Sequence, residues 1–249
     1  MNLFVQVIIN SASDRFWEFQ RRLKPYLDVF GMPYRVVDRQ FEKIDENCED
    51  TPLLVLAHND IQCNGRFPFS AAERRMLRQM AASGIGVVSF DPDSMPVLGF
   101  GQVDDSFDLQ PADRLIFSAS SHYITELHEA DETKAMGTEH HPSASIRVSA
   151  ASFLEGVEVL LYAGSLPYLA CLLKGASRIV QWMGSDWMDR ENYGPLRGLD
   201  DLLWRSFVWA ARKPFIMREI PPFATLRVDA NTALSRGSVF SMRPYRNRR

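Results

Sequence analysis

The stretch Phe69–Asp93, FSAAERRMLRQMAASGIGVVSFDPD, predicts one complete helix-to-strand step of an α/β fold. Ser70 and Glu73 have the spacing of a capping box, in which each side chain bonds a free backbone N–H of the first helical turn. Apolar residues follow at helical spacing, and Gly84 is typical of a helix stop. The next run, Ile85–Phe90, is apolar without alternation, which favours a strand covered on both faces of a parallel sheet.

Two further apolar runs extend this pattern toward the N-terminus. Leu3–Ile9 and Pro52–Ala57 are predicted as buried strands, and a helix that starts at Ser11 or Ser13 follows the first of them. Pro25 should kink or divide that helix, because proline donates no backbone hydrogen bond. Strands joined by helices in this way form right-handed crossovers. We therefore expect the three strands to be parallel neighbours in a flavodoxin-like, doubly wound, mostly parallel sheet.

The second half of the chain predicts a β-rich extension of this sheet and a final helix. The helix, Leu199–Lys213, carries acidic residues in its first turn and basic residues in its last, which suits the helix dipole. Asp201 and Arg205 lie four residues apart, so we expect them to pair. Strand character precedes the helix in three runs: Val157–Ala163, Tyr168–Leu173 and Arg178–Trp182.

Composition excludes several classes of protein. The net charge of −3 and the 24% of charged residues argue against a nucleic-acid partner. Three cysteines without a CxxC pattern argue against a disulfide framework and a structural zinc site. There is no apolar run of about 18 residues, so no membrane partner is expected. A cytoplasmic location is the expectation that fits these features.

The stretch Phe69–Asp93 resembles a signature of class I glutamine-amidotransferase-like domains attached to carbohydrate-processing proteins, including the trimerization domain of some β-galactosidases. The resemblance extends from Met1 to about Pro214, and it implies that superfamily's flavodoxin-like fold. We therefore expect residues 1–214 to form one such domain.

A second resemblance begins near Gly194. The segment Gly194–Ala230 is similar to the junction at which such a domain precedes a polysaccharide-deacetylase-like domain. There the phrase Arg-Val-Asp-Asp opens the deacetylase barrel, whereas here Asp229 is followed by Ala230 and no His-x-x-x-His pair follows. The resemblance implies that residues 215–249 are a linker and tail, the stump of a missing deacetylase-like domain.

The amidotransferase nucleophile is not found in the sequence. Enzymes of that superfamily use a cysteine on a glycine-framed strand-to-helix turn, and this chain has no Gly-x-Cys-x-Gly. Cys171 lies in the apolar run PYLACLL and is predicted to be a core residue. Cys63 follows the third strand, where an α/β sheet exposes ligand-binding residues, but no glycine-framed turn surrounds it. We therefore predict no catalytic residue.

Seven residues are candidates for ligand binding. Some follow the strands of the predicted sheet, at the edge where open α/β sheets bind ligands. One begins a polar, histidine-rich segment, for which we weigh a metal site against a polar loop, and the spacing favours the loop. The last two form an acid-aromatic pair that suits a sugar, unless the tryptophan is part of the core. The candidates are Asn59, Asp60, Asp91, Asp93, His122, Asp186 and Trp187.

These features favour a non-catalytic accessory or interaction domain linked to carbohydrate metabolism. No metal and no cofactor are expected, and the expected partners are a carbohydrate, a sugar-processing domain or a second copy of the chain. Two alternatives stay open. One is a hydrolase or amidase with an unorthodox nucleophile or a metal at His122, and the other is a small-molecule-sensing domain.

Overall fold

The computed structural model describes residues 4–44, 51–104, 110–112, 114–118, 121–135, 146–188 and 199–212. Thirteen strands lie within these ranges: β1 (Val5–Ile9), β2 (Tyr34–Asp38), β3 (Leu53–Leu56), β4 (Gly86–Ser89), β5 (Gly101–Val103), β6 (Gln110–Ala112), β7 (Arg114–Phe117), β8 (Thr133–Ala135), β9 (Ile146–Val148), β10 (Ala151–Phe153), β11 (Val157–Ala163), β12 (Leu166–Lys174) and β13 (Ser177–Trp182).

Nine of these described strands form one mixed sheet in the order β2-β1-β3-β4-β13-β12-β11-β7-β8. The strands β2-β1-β3-β4-β13 are mutually parallel, and we call them the parallel half. From β13 onward each neighbour is antiparallel, and we call β12-β11-β7-β8 the antiparallel half. The other four strands pair in two small sheets, β5 with β10 and β6 with β9.

The helices within the described residues are α1 (Phe16–Glu18), α2 (Lys24–Phe30), α3 (Ala71–Ser83), α4 (Met95–Leu98) and α5 (Asp200–Ala211). A π-helical turn, Phe19–Leu23, joins α1 to α2. Two 3₁₀ turns, Pro92–Ser94 and Asp186–Met188, follow the carboxyl ends of β4 and β13.

The predicted α/β fold is confirmed. The strands β1, β3 and β4 are parallel neighbours, with Val5 opposite Leu53 and Leu54 opposite Val87. Every residue of these three strands is buried, as expected for strands that are covered on both faces. The predicted β-rich extension corresponds to the antiparallel half together with β13, which pairs parallel to β4.

The helix α3 begins and ends as the sequence predicts. The Ser70 hydroxyl accepts from the Glu73 N–H, the Glu73 carboxylate accepts from the Ser70 N–H, and Gly84 ends the helix with φ of 95°. Two residues later, Gly86 opens β4 directly beneath α5. A Cβ at Gly86 would lie 2.1 Å from the Ala210 carbonyl oxygen, so only glycine lets this strand and helix approach so closely.

The first helix differs from its prediction at its start. Neither Ser11 nor Ser13 is the N-cap, which is Arg15 and has no side-chain cap. The Ser13 hydroxyl instead accepts from the Arg15 N–H within a preceding turn. Pro25 has the predicted effect of dividing the helix, because the π-helical turn ends immediately before α2, where Pro25 occupies the first turn.

The helix α5 is buried as predicted, but its charged residues have other partners. Asp201 does not pair with Arg205. The Asp201 carboxylate lies 3.1 Å from His128 Nε2, and Arg205 Nη1 lies 3.3 Å from Glu126. Both partners belong to the segment after β7, so these charges attach that segment to α5. The helix ends at Arg212, which adopts a left-handed conformation with φ of 57°.

The predicted linker and tail, residues 215–249, and most of the deacetylase-like junction lie outside the described residues. Within the ranges that the structure describes, no helix is long and apolar enough to cross a membrane.

Candidate functional site at the carboxyl edge

The carboxyl ends of the parallel strands meet at one edge of the sheet, as they must when strands run in the same direction. Six of the seven candidate residues lie in loops that follow these strand ends. We call this region the carboxyl edge. It comprises the loops 10–13, 58–60, 91–94 and 185–187, together with the facing residues of the first helix.

His58 is fully buried at the start of the loop after β3 and uses both ring nitrogens on the backbone. Nε2 accepts from the Asn10 N–H at 3.0 Å, and Nδ1 lies 2.7 Å from the Asn59 carbonyl oxygen, to which it donates. Burial lowers the pKa of His58 below its usual value, so the imidazole is neutral. His58 therefore joins the loops after β1 and β3 and does not act as an exposed acid or base.

Asp60 and Asp91 are linked to each other through the backbone. The Asp60 N–H donates to Asp91 Oδ1 at 3.0 Å, and the Ser13 hydroxyl lies 3.4 Å from Asp60 Oδ2. Asp91 is completely buried, and the Ser94 hydroxyl donates to its other oxygen. Burial raises the pKa of Asp91 to about 7. Asp93, on the same 3₁₀ turn, is exposed.

An ion-pair network connects the first helix to two of these loops. Arg22 is buried, and its Nη1 lies 2.7 Å from Asp186 Oδ1, 3.0 Å from Ser185 Oγ and 3.8 Å from Glu18 Oε1. The other Glu18 oxygen accepts from the Asn59 N–H at 3.1 Å. Burial raises the pKa of Glu18, although the Asn59 N–H and the neighbouring arginine oppose the shift. The network holds the loops after β3 and β13 together.

The tryptophan that the sequence proposed for sugar stacking is part of the core. Trp187 is 4% exposed, with ring centroids 5.2 Å from Trp182 and 6.0 Å from Tyr26, so it has no free face for a sugar. Its neighbour Asp186 keeps 31% of its side chain exposed. The half-buried aromatic residue of this network is instead Trp17, whose ring lies 4.6 Å from the Arg22 guanidinium.

Sequence reasoning missed Glu18, Arg22 and Trp17 as members of this site. Glu18 and Arg22 lie four residues apart, a spacing that places charges on the same side of a helix. Their position just after the first buried strand was the available signal, because the loop after that strand opens on the carboxyl edge.

The two cysteines in the described part of the chain are buried and protonated at neutral pH. Burial raises the pKa of the Cys63 thiol, and it raises the pKa of the Cys171 thiol to about 12. A nucleophilic cysteine needs the opposite shift, because the thiolate is the reactive form. Neither described cysteine therefore has the environment of an amidotransferase nucleophile.

His122 is held away from the carboxyl edge, beside the antiparallel half. Its Nε2 lies 3.5 Å from Cys171 Sγ, and its Nδ1 accepts from the Ile124 N–H at 3.2 Å. The imidazole is edge-on to Trp209, with 4.9 Å between ring centroids. Burial lowers the pKa of His122, which opposes protonation. Of the seven candidates, His122 alone belongs to a different region.

Neither a protein-family model nor a curated protein sequence matches the chain. Solved structures do match it. A cytoplasmic protein from Salmonella typhimurium is 11% identical with a TM-score of 0.58, over 85% of this chain and 100% of that one. A ThuA-like protein from Parabacteroides merdae is 14% identical with a TM-score of 0.58, over 89% of this chain and 94% of that one.

A glutamine amido transferase from Methylobacillus flagellatus is 13% identical with a TM-score of 0.53, over 85% of this chain and 94% of that one. At these identities the likeness concerns the fold. The chain has an α/β fold of the kind found in glutamine-amidotransferase-like and ThuA-like proteins.

Proposed function

We propose that the chain is a non-catalytic binding domain, linked to carbohydrate metabolism, whose carboxyl edge takes a carbohydrate. One observation carries the proposal. Two titratable groups at this edge, those of His58 and Asp91, are fully buried and bonded to neighbouring loops, and a third, Glu18, is buried in the ion-pair network with Arg22. They stabilise the edge, and the partly exposed polar groups beside them are of the kind that bind hydroxyl groups.

The partly exposed groups form a set that suits a sugar. Asp186 and Asn59 offer oxygen and nitrogen atoms for hydroxyl hydrogen bonds, and both side chains are only half-buried. Trp17 contributes an aromatic ring, on which the apolar face of a pyranose can stack. Arg22, anchored to Asp186 at 2.7 Å, fixes the distance between the acidic and the aromatic parts of the set.

The absence of a family nucleophile supports a binding role over an amidotransferase role. One structural neighbour is a glutamine amido transferase, but this sequence has no glycine-framed cysteine. Fold does not determine function, so the site chemistry carries the argument. The carbohydrate link comes from the resemblance of Phe69–Asp93 to domains of carbohydrate-processing proteins.

Isothermal titration calorimetry with galactose, mannose, N-acetylglucosamine and their β-linked oligomers tests the proposal. We expect saturable binding of at least one of these sugars. Trp17→Ala and Asp186→Asn should each weaken that binding by about tenfold or more, which corresponds to about 1.4 kcal/mol. Asp28→Asn is the matched control, because Asp28 is an exposed carboxylate that pairs with Lys24 within α2, outside the proposed site.

Two results would contradict the proposal. One is the absence of binding to every sugar in the set, and the other is binding that Trp17→Ala and Asp186→Asn leave unchanged. Incubation with glutamine and measurement of released ammonia tests the enzymatic alternative in parallel. Ammonia release that Cys63→Ala abolishes would replace the binding function by an amidase function.

A further inference from the structure

Three metal-binding side chains converge on the antiparallel half, outside the carboxyl edge. His122 Nε2, Cys171 Sγ and a Glu158 carboxylate oxygen all lie within 4.8 Å of one another. They come from the segment after β7, from β12 and from β11. No sequence motif joins residues so far apart, and for this reason the sequence predicted no metal there.

Strand pairing positions two of the three ligands. Glu158 and Cys171 are directly opposite each other in the antiparallel pair β11–β12. Cross-strand partners project from the same face, with Cβ atoms about 4.5–5.5 Å apart. His122 is positioned by different contacts, since the Ile124 N–H bonds its Nδ1 and the Trp209 ring lies against its side. Its Nε2 is thereby directed at the Cys171 sulfur.

The separation between the cysteine and histidine ligand atoms matches that expected for tetrahedral zinc. With Zn–S of about 2.3 Å and Zn–N of about 2.0–2.1 Å, two ligands at a tetrahedral angle lie about 3.6 Å apart. The observed separation between Cys171 Sγ and His122 Nε2 is 3.5 Å. Thiolate, imidazole and carboxylate are the three ligand types that zinc accepts in proteins.

We infer that His122, Glu158 and Cys171 form a binding site for Zn²⁺ or a similar borderline-soft dication. A thiolate, a carboxylate and a neutral imidazole together carry two negative charges, which balance the ion. Cys171 is buried, His122 half-buried and Glu158 exposed, so the ion enters from the Glu158 side. Three protein ligands leave the fourth tetrahedral position for water or an external ligand.

The negative charge of Glu158 should contribute to metal affinity, because a positively charged side chain lies near the site. The Arg178 guanidinium packs 5.0 Å from the centre of the Trp209 ring, donates to the Trp209 carbonyl at 3.0 Å and lies close enough to disfavour positive charge on His122. A second anionic ligand beside Cys171 offsets this repulsion. Loss of the Glu158 charge should therefore weaken metal binding although Glu158 is exposed.

The alternative to a metal site is a simple hydrogen bond from His122 to Cys171. The position of the imidazole proton distinguishes the metal-bound state from the hydrogen-bonded state. Without metal, Nδ1 accepts from the Ile124 N–H, so Nε2 carries the proton and donates to sulfur. A metal takes the Nε2 lone pair, which moves the ring proton to Nδ1 and removes the bond from Ile124. The Cys171 thiol proton leaves to solvent, as metal binding to cysteine requires.

Titration of the chelator-treated full chain with Co²⁺ tests the site, because cobalt bound to a thiolate gives a charge-transfer band in the near ultraviolet. We expect one cobalt per chain and displacement of cobalt by Zn²⁺. Cys171→Ala should abolish the band. Loss of an outer-sphere partner typically weakens metal binding by about 10–100-fold. Glu158→Gln and His122→Gln remove direct ligands, so each should weaken zinc binding by more than that.

Two variants serve as matched controls. Cys63→Ala removes another buried thiol, and Glu155→Gln removes an exposed carboxylate from the turn before β11, so both should retain the band. Because Glu158 is exposed, Glu158→Gln keeps the test valid even where Cys171→Ala fails to fold. Absence of saturable cobalt binding, a band that survives in Cys171→Ala, or unchanged affinity in Glu158→Gln would overturn the inference. The sugar-binding proposal does not depend on this result.

Discussion

A histidine lies beside each half of the large sheet, and the two imidazoles have different surroundings. In the parallel half, His58 uses both nitrogens on backbone groups of adjoining loops. Beside the antiparallel half, His122 uses one nitrogen on the backbone and directs the other at Cys171, next to Glu158. His58 therefore holds two loops together, whereas His122 belongs to a set of converging ligand atoms.

Gly86→Ala should have the largest effect on stability, because Gly86 of β4 lies directly against the backbone of α5. The added Cβ would lie 2.1 Å from a backbone oxygen of α5, which cannot move as a flexible side chain can. We expect a loss above about 4 kcal/mol in the free energy of unfolding, which is in the exceptional range for single substitutions. Urea unfolding followed by circular dichroism measures this loss.

Gly175→Ala is the counterpart in the antiparallel half. Gly175 has φ of 59° and no atom within 4 Å of an added Cβ, so only backbone strain of about 1–2 kcal/mol is expected. Equal losses in the two variants would show that α5 does not pack on β4 as described.

Leu203→Ala should have the next largest effect. Leu203 is a fully buried residue of α5, and truncation of a buried leucine leaves a cavity that costs about 2–5 kcal/mol. Leu173→Ala on β12 is the matched control, because Leu173 is 64% exposed and its loss should stay within about 0.5 kcal/mol. Thermal unfolding compares the two, and a similar shift in melting temperature for both would contradict the burial of Leu203.

Asp91→Asn should change how stability depends on pH. The native state keeps the Asp91 proton up to a pKa of about 7, whereas the unfolded chain releases it near 3.8. Asp91 therefore contributes stability below pH 4 that is lost as the pH rises toward 7. Asparagine resembles the protonated carboxyl, since its oxygen can accept from Asp60 and its NH₂ can donate to Ser94. The variant should lack this decline in the free energy of unfolding, which amounts to up to a few kcal/mol between pH 4 and pH 7.

His58 has the opposite pH dependence, since its lowered pKa makes stability fall as the pH drops below about 6.5. Wild type and Asp91→Asn both contain His58, so subtracting one stability-versus-pH profile from the other cancels the His58 contribution. Asp14→Asn, an exposed carboxylate at the same edge, is the control and should leave the decline in place. Identical pH profiles for wild type and Asp91→Asn would contradict the assignment of the raised pKa to Asp91.

Deletion of the residues after Pro222 should have the smallest effect. The sequence predicts one short strand beyond that point, Phe223–Val228, outside the domain predicted for residues 1–214, so the melting temperature should change little. If this strand instead extends the large sheet or joins a second copy of the chain, deletion should lower the melting temperature or dissociate an oligomer. Calorimetry and light scattering of the truncated chain distinguish these results.

The parallel half was predictable because its signals are local. Buried strands such as Pro52–Ala57 are continuous apolar runs, and the helix between Ser70 and Gly84 carries its own start and stop residues. Such signals lie within a few residues of the element that they define. The division of the first helix at Pro25 was predictable for the same reason, since a single residue causes it.

The site chemistry was only partly predictable, because it depends on which residues meet across strands. Asp60 and Asp91 were expected at the carboxyl edge from their place after strands, but their mutual bonding was not visible in the sequence. The meeting of Glu158 with Cys171 depends on the register of β11 against β12, which is irregular between Val159 and Leu161. An irregular register of this kind has no local sequence signal.

The position of β13 in the sheet has a consequence for synthesis of the chain. Residues 90–176, 87 in all, separate β4 from the strand that completes its open edge. At about 5–20 residues per second, a translating ribosome needs roughly 4–17 s to make them. During that interval a nascent β4 has no neighbour on that side, and exposed strand edges recruit other chains. A chaperone that binds apolar strands would therefore protect this protein most within this interval.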